Sequence, residues 1–81
     1  MSDNLREHMY REITAKKLVQ VRGKRTRKAI ADASDGRITV QDLWGYELGK
    51  WNVSRDKLPY LLKALGATYD EISEPVDLAT V

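Results

Sequence analysis

The sequence predicts an all-α fold. Five short helices pack as a compact bundle around one core, followed by an extended C-terminal tail. Three observations predict it. Apolar residues recur three and four positions apart, and strict alternation is nearly absent. Small polar residues stand three positions before carboxylates, the pattern of a capped helix start. Glycine closes one helical stretch after another. At 81 residues the chain has room for a single core.

The elements follow in order. Leu5, Met9 and Ile13 lie four apart on one stripe, with Asn4 and Glu7 as a capping pair. Residues 1–15 therefore read as an extension of helix one or as an extra N-terminal helix. Leu18 and Val21 carry the apolar pattern through helix one to its stop at Gly23. Thr26 opens helix two, which holds Ala29, Ile30, Ala31 and Ala33 and gives way at Gly36. Helix three begins at Thr39 with Asp42, carries Leu43 and Tyr46, and stops at Gly49. Leu58, Leu61, Leu62 and Leu65 mark helix four at i, i+3, i+4 and i+7, closed by Gly66. Thr68 with Glu71 opens a last short helix anchored by Ile72, and Glu74-Pro75-Val76 then breaks it. This divides the chain into an extension (1–15), a helical domain (16–73) and a tail (74–81). The expected core is Leu18, Val21, Ile30, Ala31, Ile38, Leu43, Tyr46, Leu58, Leu61, Leu62 and Leu65.

Composition excludes several functions. Cysteine is absent and His8 is the single histidine, so neither a disulfide framework nor a metal site is expected. His8 reads as surface. No apolar run approaches the ~20 residues of a membrane span. Asp3, Arg6 and Glu7 stand where a signal peptide would be apolar. The expectation is a cytoplasmic protein with no membrane partner. With no acid–base pair, metal cluster or phosphate loop, it is expected to be no enzyme, with no cofactor and no small-molecule substrate.

Charge is small in total, +2, but uneven along the chain. Residues 11–31 carry Arg11, Lys16, Lys17, Arg22, Lys24, Arg25, Arg27 and Lys28 against Glu12 alone. Residues 66–81 carry Asp70, Glu71, Glu74 and Asp77 and no cation. A basic run of this kind is either a solvated helix face or an anion-binding surface, and nucleic-acid phosphate is the commonest large anion.

The middle of the chain resembles the Cro/cI-type (XRE-type, lambda-repressor-like) helix-turn-helix family. The matching stretches are Val21-Arg22, Thr26-Arg27-Lys28-Ala29-Ile30-Ala31, Ile38-Thr39, Leu43 and Tyr46-Glu47-Leu48-Gly49-Lys50. They continue through Ser54, Leu58, Leu61-Leu62-Lys63-Ala64-Leu65-Gly66 and Tyr69-Asp70-Glu71-Ile72. The match spans residues 16–72 and keeps the family spacing without a gap from Glu47 to Ile72. It departs in a longer turn between Ala31 and Ile38, a shorter link from Arg22 to Thr26, and Val53 where the family has proline. The resemblance implies double-stranded DNA as partner, helix three as the recognition helix, and a structural ion pair between Arg22 and Glu47.

The residues themselves point to the same chemistry. A helix start favours an anion through its free N–H groups and dipole. Lys24, Arg25, Thr26, Arg27 and Lys28 surround the start of helix two and read as phosphate contacts, with Thr39 and Lys50 at the two ends of helix three. With Leu43 and Tyr46 facing inward, helix three presents Val40, Gln41, Trp44 and Gly45 as base contacts. Gln41 can donate and accept to adenine, and Val40 can meet a thymine methyl. Gly45 allows close approach either to DNA or to another helix. Trp44 is open between DNA, a partner chain, the N-terminal extension and burial against helix one. Trp51 reads as packed under Lys50.

The function these features predict is a sequence-specific transcriptional regulator of bacterial or phage type, a repressor occupying an operator. A homodimer on DNA is expected, because one small domain reads few base pairs. The alternative is an interaction module of the same fold, such as an antitoxin or anti-regulator.

Overall fold

Threonines start four of the helices, at Thr14, Thr26, Thr39 and Thr68, and three of them are bonded to the helix backbone through the hydroxyl. Thr14 Oγ1 accepts from the Lys17 N–H at 3.2 Å, Thr26 Oγ1 from the Ala29 N–H at 3.0 Å, and Thr39 Oγ1 from the Asp42 N–H at 2.9 Å. The computed structural model describes residues 9–77. Within them α1 spans Ala15–Arg22, α2 Arg27–Ala33, α3 Val40–Leu48, α4 Leu58–Leu65 and α5 Tyr69–Ile72. Two strands flank them, β1 at Met9–Ile13 and β2 at Ser73–Asp77. Asn4, Leu5, Glu7 and His8 lie outside the described residues.

The strands correct the all-α expectation: the fold is mixed. β1 and β2 form a two-stranded antiparallel sheet that pairs Met9 with Asp77 and Ile13 with Ser73. Residues 9–13 are therefore not helix, and the expected extended tail is a paired strand over residues 74–77, while 78–81 lie outside the described residues. A spacing of four, as between residues 9 and 13 of the sequence, fits a helix and a strand alike, being one turn of the first and an even step of the second. What decides between them is a partner some sixty residues away, which no local pattern announces.

Proline is compatible with β2 because of where it falls. The Thr14 N–H donates to the Ile72 carbonyl at 3.2 Å. Bonded positions alternate from that pair, so Arg11 and Pro75 face each other at an unbonded position. Arg11 fastens the ribbon to α5. Its Nε donates to Ser73 Oγ at 2.9 Å and its Nη2 to the Asp70 and Ser73 carbonyls at 2.8 Å. The Tyr69 hydroxyl returns a bond to the Arg11 carbonyl at 2.7 Å.

The core agrees with the apolar pattern. Leu18, Ile30, Ala31, Ile38, Leu43, Tyr46, Leu61 and Leu65 are buried, and Val21, Leu58 and Leu62 pack against them half-buried. Ala64 and Ile72 complete the core. Ile13 joins it from the ribbon. Helices α1, α3 and α4 thus end at the expected glycines, Gly23, Gly49 and Gly66, whereas α2 ends at Ser34 before Gly36, and a strand stands at each end of the described residues.

Candidate nucleic-acid interface

The α2–turn–α3 unit is held by two devices. The first is the turn itself. Asp35 and Gly36 both adopt left-handed backbone, at φ 58° and 79°, so the chain reverses between α2 and α3. Ser34, fully buried, closes it: its Oγ donates to the Ala31 carbonyl at 2.6 Å and accepts from the Ile38 N–H at 2.9 Å. The longer turn is thus a built one. Sequence reading passed over Ser34, although a serine at a helix end is a usual partner for free backbone groups.

The second device is a carboxylate clamp. Glu47 on α3, its side chain 2% exposed, accepts from Arg22 Nε at 2.7 Å and Arg22 Nη2 at 3.0 Å. Arg27 Nε on α2 donates to the same carboxylate at 3.0 Å. Three helices therefore meet at one side chain. The hydrogen bond to Glu47 pushes the Arg22 guanidinium above its ordinary pKa, against the opposing effect of burial. Such a cluster fixes geometry more surely than it adds net stability.

The outer face of α3 is apolar. Val40 is 45% exposed, Trp44 39% and Leu48 53%, a stripe at i, i+4 and i+8. Gln41 is exposed beside them. The Lys50 ammonium sits over the Trp44 ring, 4.7 Å from its centroid. Trp44 is thus neither buried against α1 nor in the core, and Lys50 covers this ring rather than Trp51.

Gly45 does not belong to that face. It is buried, and a Cβ built on it would fall inside the Trp51 indole. The glycine lets Trp51 pack directly on the α3 backbone, so its expected base contact is corrected to a packing role. At the start of α3, Asp42 accepts from the Thr39 N–H at 3.1 Å and from Lys57 Nζ at 2.8 Å. Burial pushes the Asp42 carboxyl up, but the bonds from Lys57 and Thr39 outweigh it and hold it below the ordinary carboxylate value.

The arginines of the basic run are engaged by the fold itself, which bears on the expected phosphate contacts. Arg25 donates to the Arg22 carbonyl at 3.2 Å, the Leu65 carbonyl at 3.0 Å and the Val21 carbonyl at 2.8 Å. It satisfies the carbonyl ends of α1 and α4, groups that every helix leaves open. Arg27 is tied to Glu47, with its side chain 37% exposed. Lys28 forms an exposed pair with Asp32 at 3.3 Å. Lys24 and Lys50 are exposed, as are Thr26 and Thr39 at the two helix starts. A positive run in sequence does not reveal that two helix C-termini converge on Arg25.

No family model, curated protein or solved structure is significantly similar to this chain. Among the described residues no helix is long and apolar enough to cross a membrane, and no group of side chains could hold a metal ion.

Proposed function

We propose that the protein is a sequence-specific double-stranded DNA-binding regulator that represses by occupying an operator, with α3 in the major groove. The observation that carries this reading is the clamp at Glu47. It ties α3 to α1 and α2 from behind and leaves Val40, Gln41 and Trp44 exposed in front. That is what a reading helix needs, since a groove wide enough for a helix accepts it only at a fixed angle. Support at the backbone comes from the exposed Thr26 and Lys28 at the start of α2. Lys24 and Lys50 add charge. Two copies would read half-sites about one helical turn apart, in keeping with the few base pairs one copy covers.

The experiment is a titration of labelled duplex at several salt concentrations. Affinity should fall linearly on logarithmic axes, and Lys28→Ala should reduce the slope by about 0.9 if it meets a phosphate. Binding indifferent to salt would reject the reading.

A second reading has its own observation. The Val40–Trp44–Leu48 stripe carries no charge, and such a stripe also suits a protein groove in an antitoxin or anti-regulator. Loss of a protein partner in Trp44→Ala, with no binding to any duplex, would favour it.

A further inference from the structure

Base edges in the major groove offer four kinds of contact, and the structure of α3 removes two of them. Guanine is read chiefly by Arg or Lys. α3 contains neither, and Lys50, which follows it, lies over the Trp44 ring. Cytosine is read by a carboxylate. Both carboxylates of α3 are engaged: Asp42 by Thr39 and Lys57, Glu47 by Arg22 and Arg27. What remains exposed is one amide, Gln41, suited to adenine, and the apolar groups of Val40, Trp44 and Leu48. The only apolar group that a natural base presents in this groove is the C5-methyl of thymine. The Thr39 hydroxyl, which accepts from Asp42, fits either kind of base pair.

We infer that α3 reads A·T pairs, taking adenine through Gln41 and thymine through its C5-methyl against Val40 and Trp44, so that the operator is thymine-dependent at the contacted steps. This rests on the DNA-binding reading above and names its substrate class. Val40 stands at the first turn of α3 beside Gln41, so adjacent base pairs fall to these two side chains. The α3 face thus discriminates by burying methyl groups rather than by charge, and the cations outside α3 serve attraction alone.

The test begins with selection of duplexes from a random pool by the full chain. Each thymine of the selected site is then replaced singly by deoxyuridine, which keeps the base pair and removes only the methyl. Wild type, Val40→Ala and Gln41→Ala are titrated with every duplex over a range of salt. The selected core should be A·T. At least one deoxyuridine should weaken wild-type binding about fourfold, the effect of one lost methyl contact. Val40→Ala should bind that thymine and uracil duplex equally. Gln41→Ala should lose preference at a neighbouring adenine while keeping its uracil sensitivity. A selected core of G·C pairs, or equal wild-type affinity for thymine and uracil throughout, would overturn the inference. The salt slope in the same titrations separates the two levels. Salt-dependent binding without methyl sensitivity overturns only the base readout, whereas no binding to any duplex removes the DNA-binding reading with it.

Discussion

The α2–turn–α3 unit and the β1–β2 ribbon are built on opposite terms. In the first, nearly every stabilising contact is local or is centred on a single side chain: Thr26 and Thr39 cap, Ser34 closes the turn, Glu47 gathers two arginines. The ribbon joins the two ends of the described chain, and its anchoring bonds span about sixty residues, from Arg11 to Ser73. Local devices can hold a reading surface at a fixed angle. A ribbon that meets the core through Ile13, Arg11 and Tyr69 closes the fold without shaping that surface. Orientation of α3 and closure of the ends are thus separate properties, open to separate mutation.

The largest effect should come from Glu47→Ala. It leaves Arg22 and Arg27 facing each other without their shared carboxylate, at a cost of about 3 kcal/mol. For a domain of this size that lowers Tm by roughly 15 °C. A thermal melt checks it, and binding to every duplex should weaken together. If stability held while one base preference was lost, Glu47 would be a reading residue and not a brace.

Gly45→Ala should come next. The methyl group would displace Trp51 from the α3 backbone, and overpacking should exceed the ~1 kcal/mol gained in helix propensity, for a net loss of about 1–2 kcal/mol. Urea unfolding measures it. In a Trp51→Ala background the same substitution should stabilise, since the clash is gone.

The ribbon should answer to proline position. Val76→Pro removes an N–H at a bonded position, whereas Pro75 already occupies an unbonded one. Amide exchange should quicken along residues 10–13 and 73–76 while Leu43 and Leu61 stay protected. Loss of protection throughout the helices would show that the ribbon and the reading unit are one cooperative body.

The smallest effect should be the acid response of Asp42. Its folded pKa lies below the unfolded value, so its contribution is present above the ordinary carboxylate range and is lost as pH falls through the folded pKa. Both partners keep solvent contact, so the contribution should stay under about 1 kcal/mol. Asp42→Asn should therefore lose slightly less stability than wild type between pH 6 and pH 3 in urea titrations.

The same contrast explains what the sequence makes legible. Caps and leucine spacing act within four residues, so Thr26, Thr39 and the Leu58–Leu65 stripe mark their helices directly. The Arg22–Glu47 pair is legible through the family resemblance, and its geometry agrees. Met9 and Ile13 could not separate helix from strand, because their spacing suits both. The partners of the arginines are hidden for a related reason. Charge is written in the sequence, but the carbonyl ends that consume Arg25, and the carboxylate that holds Arg27, are supplied by distant elements. Gly45 carried the right signal, close approach, but its partner Trp51 becomes visible only when the loop after α3 folds back.

On the proposed function, the exposed face of α3 meets DNA while the ribbon does not. Amide and indole N–H shifts of the 15N-labelled chain during titration with a selected duplex test it most directly. The largest changes are expected at Val40, Gln41, the Trp44 indole and the first amides of α2, with Arg11–Ile13 and Ser73–Val76 unmoved. Changes confined to the ribbon, or an α3 face unaltered at saturating duplex, would contradict it.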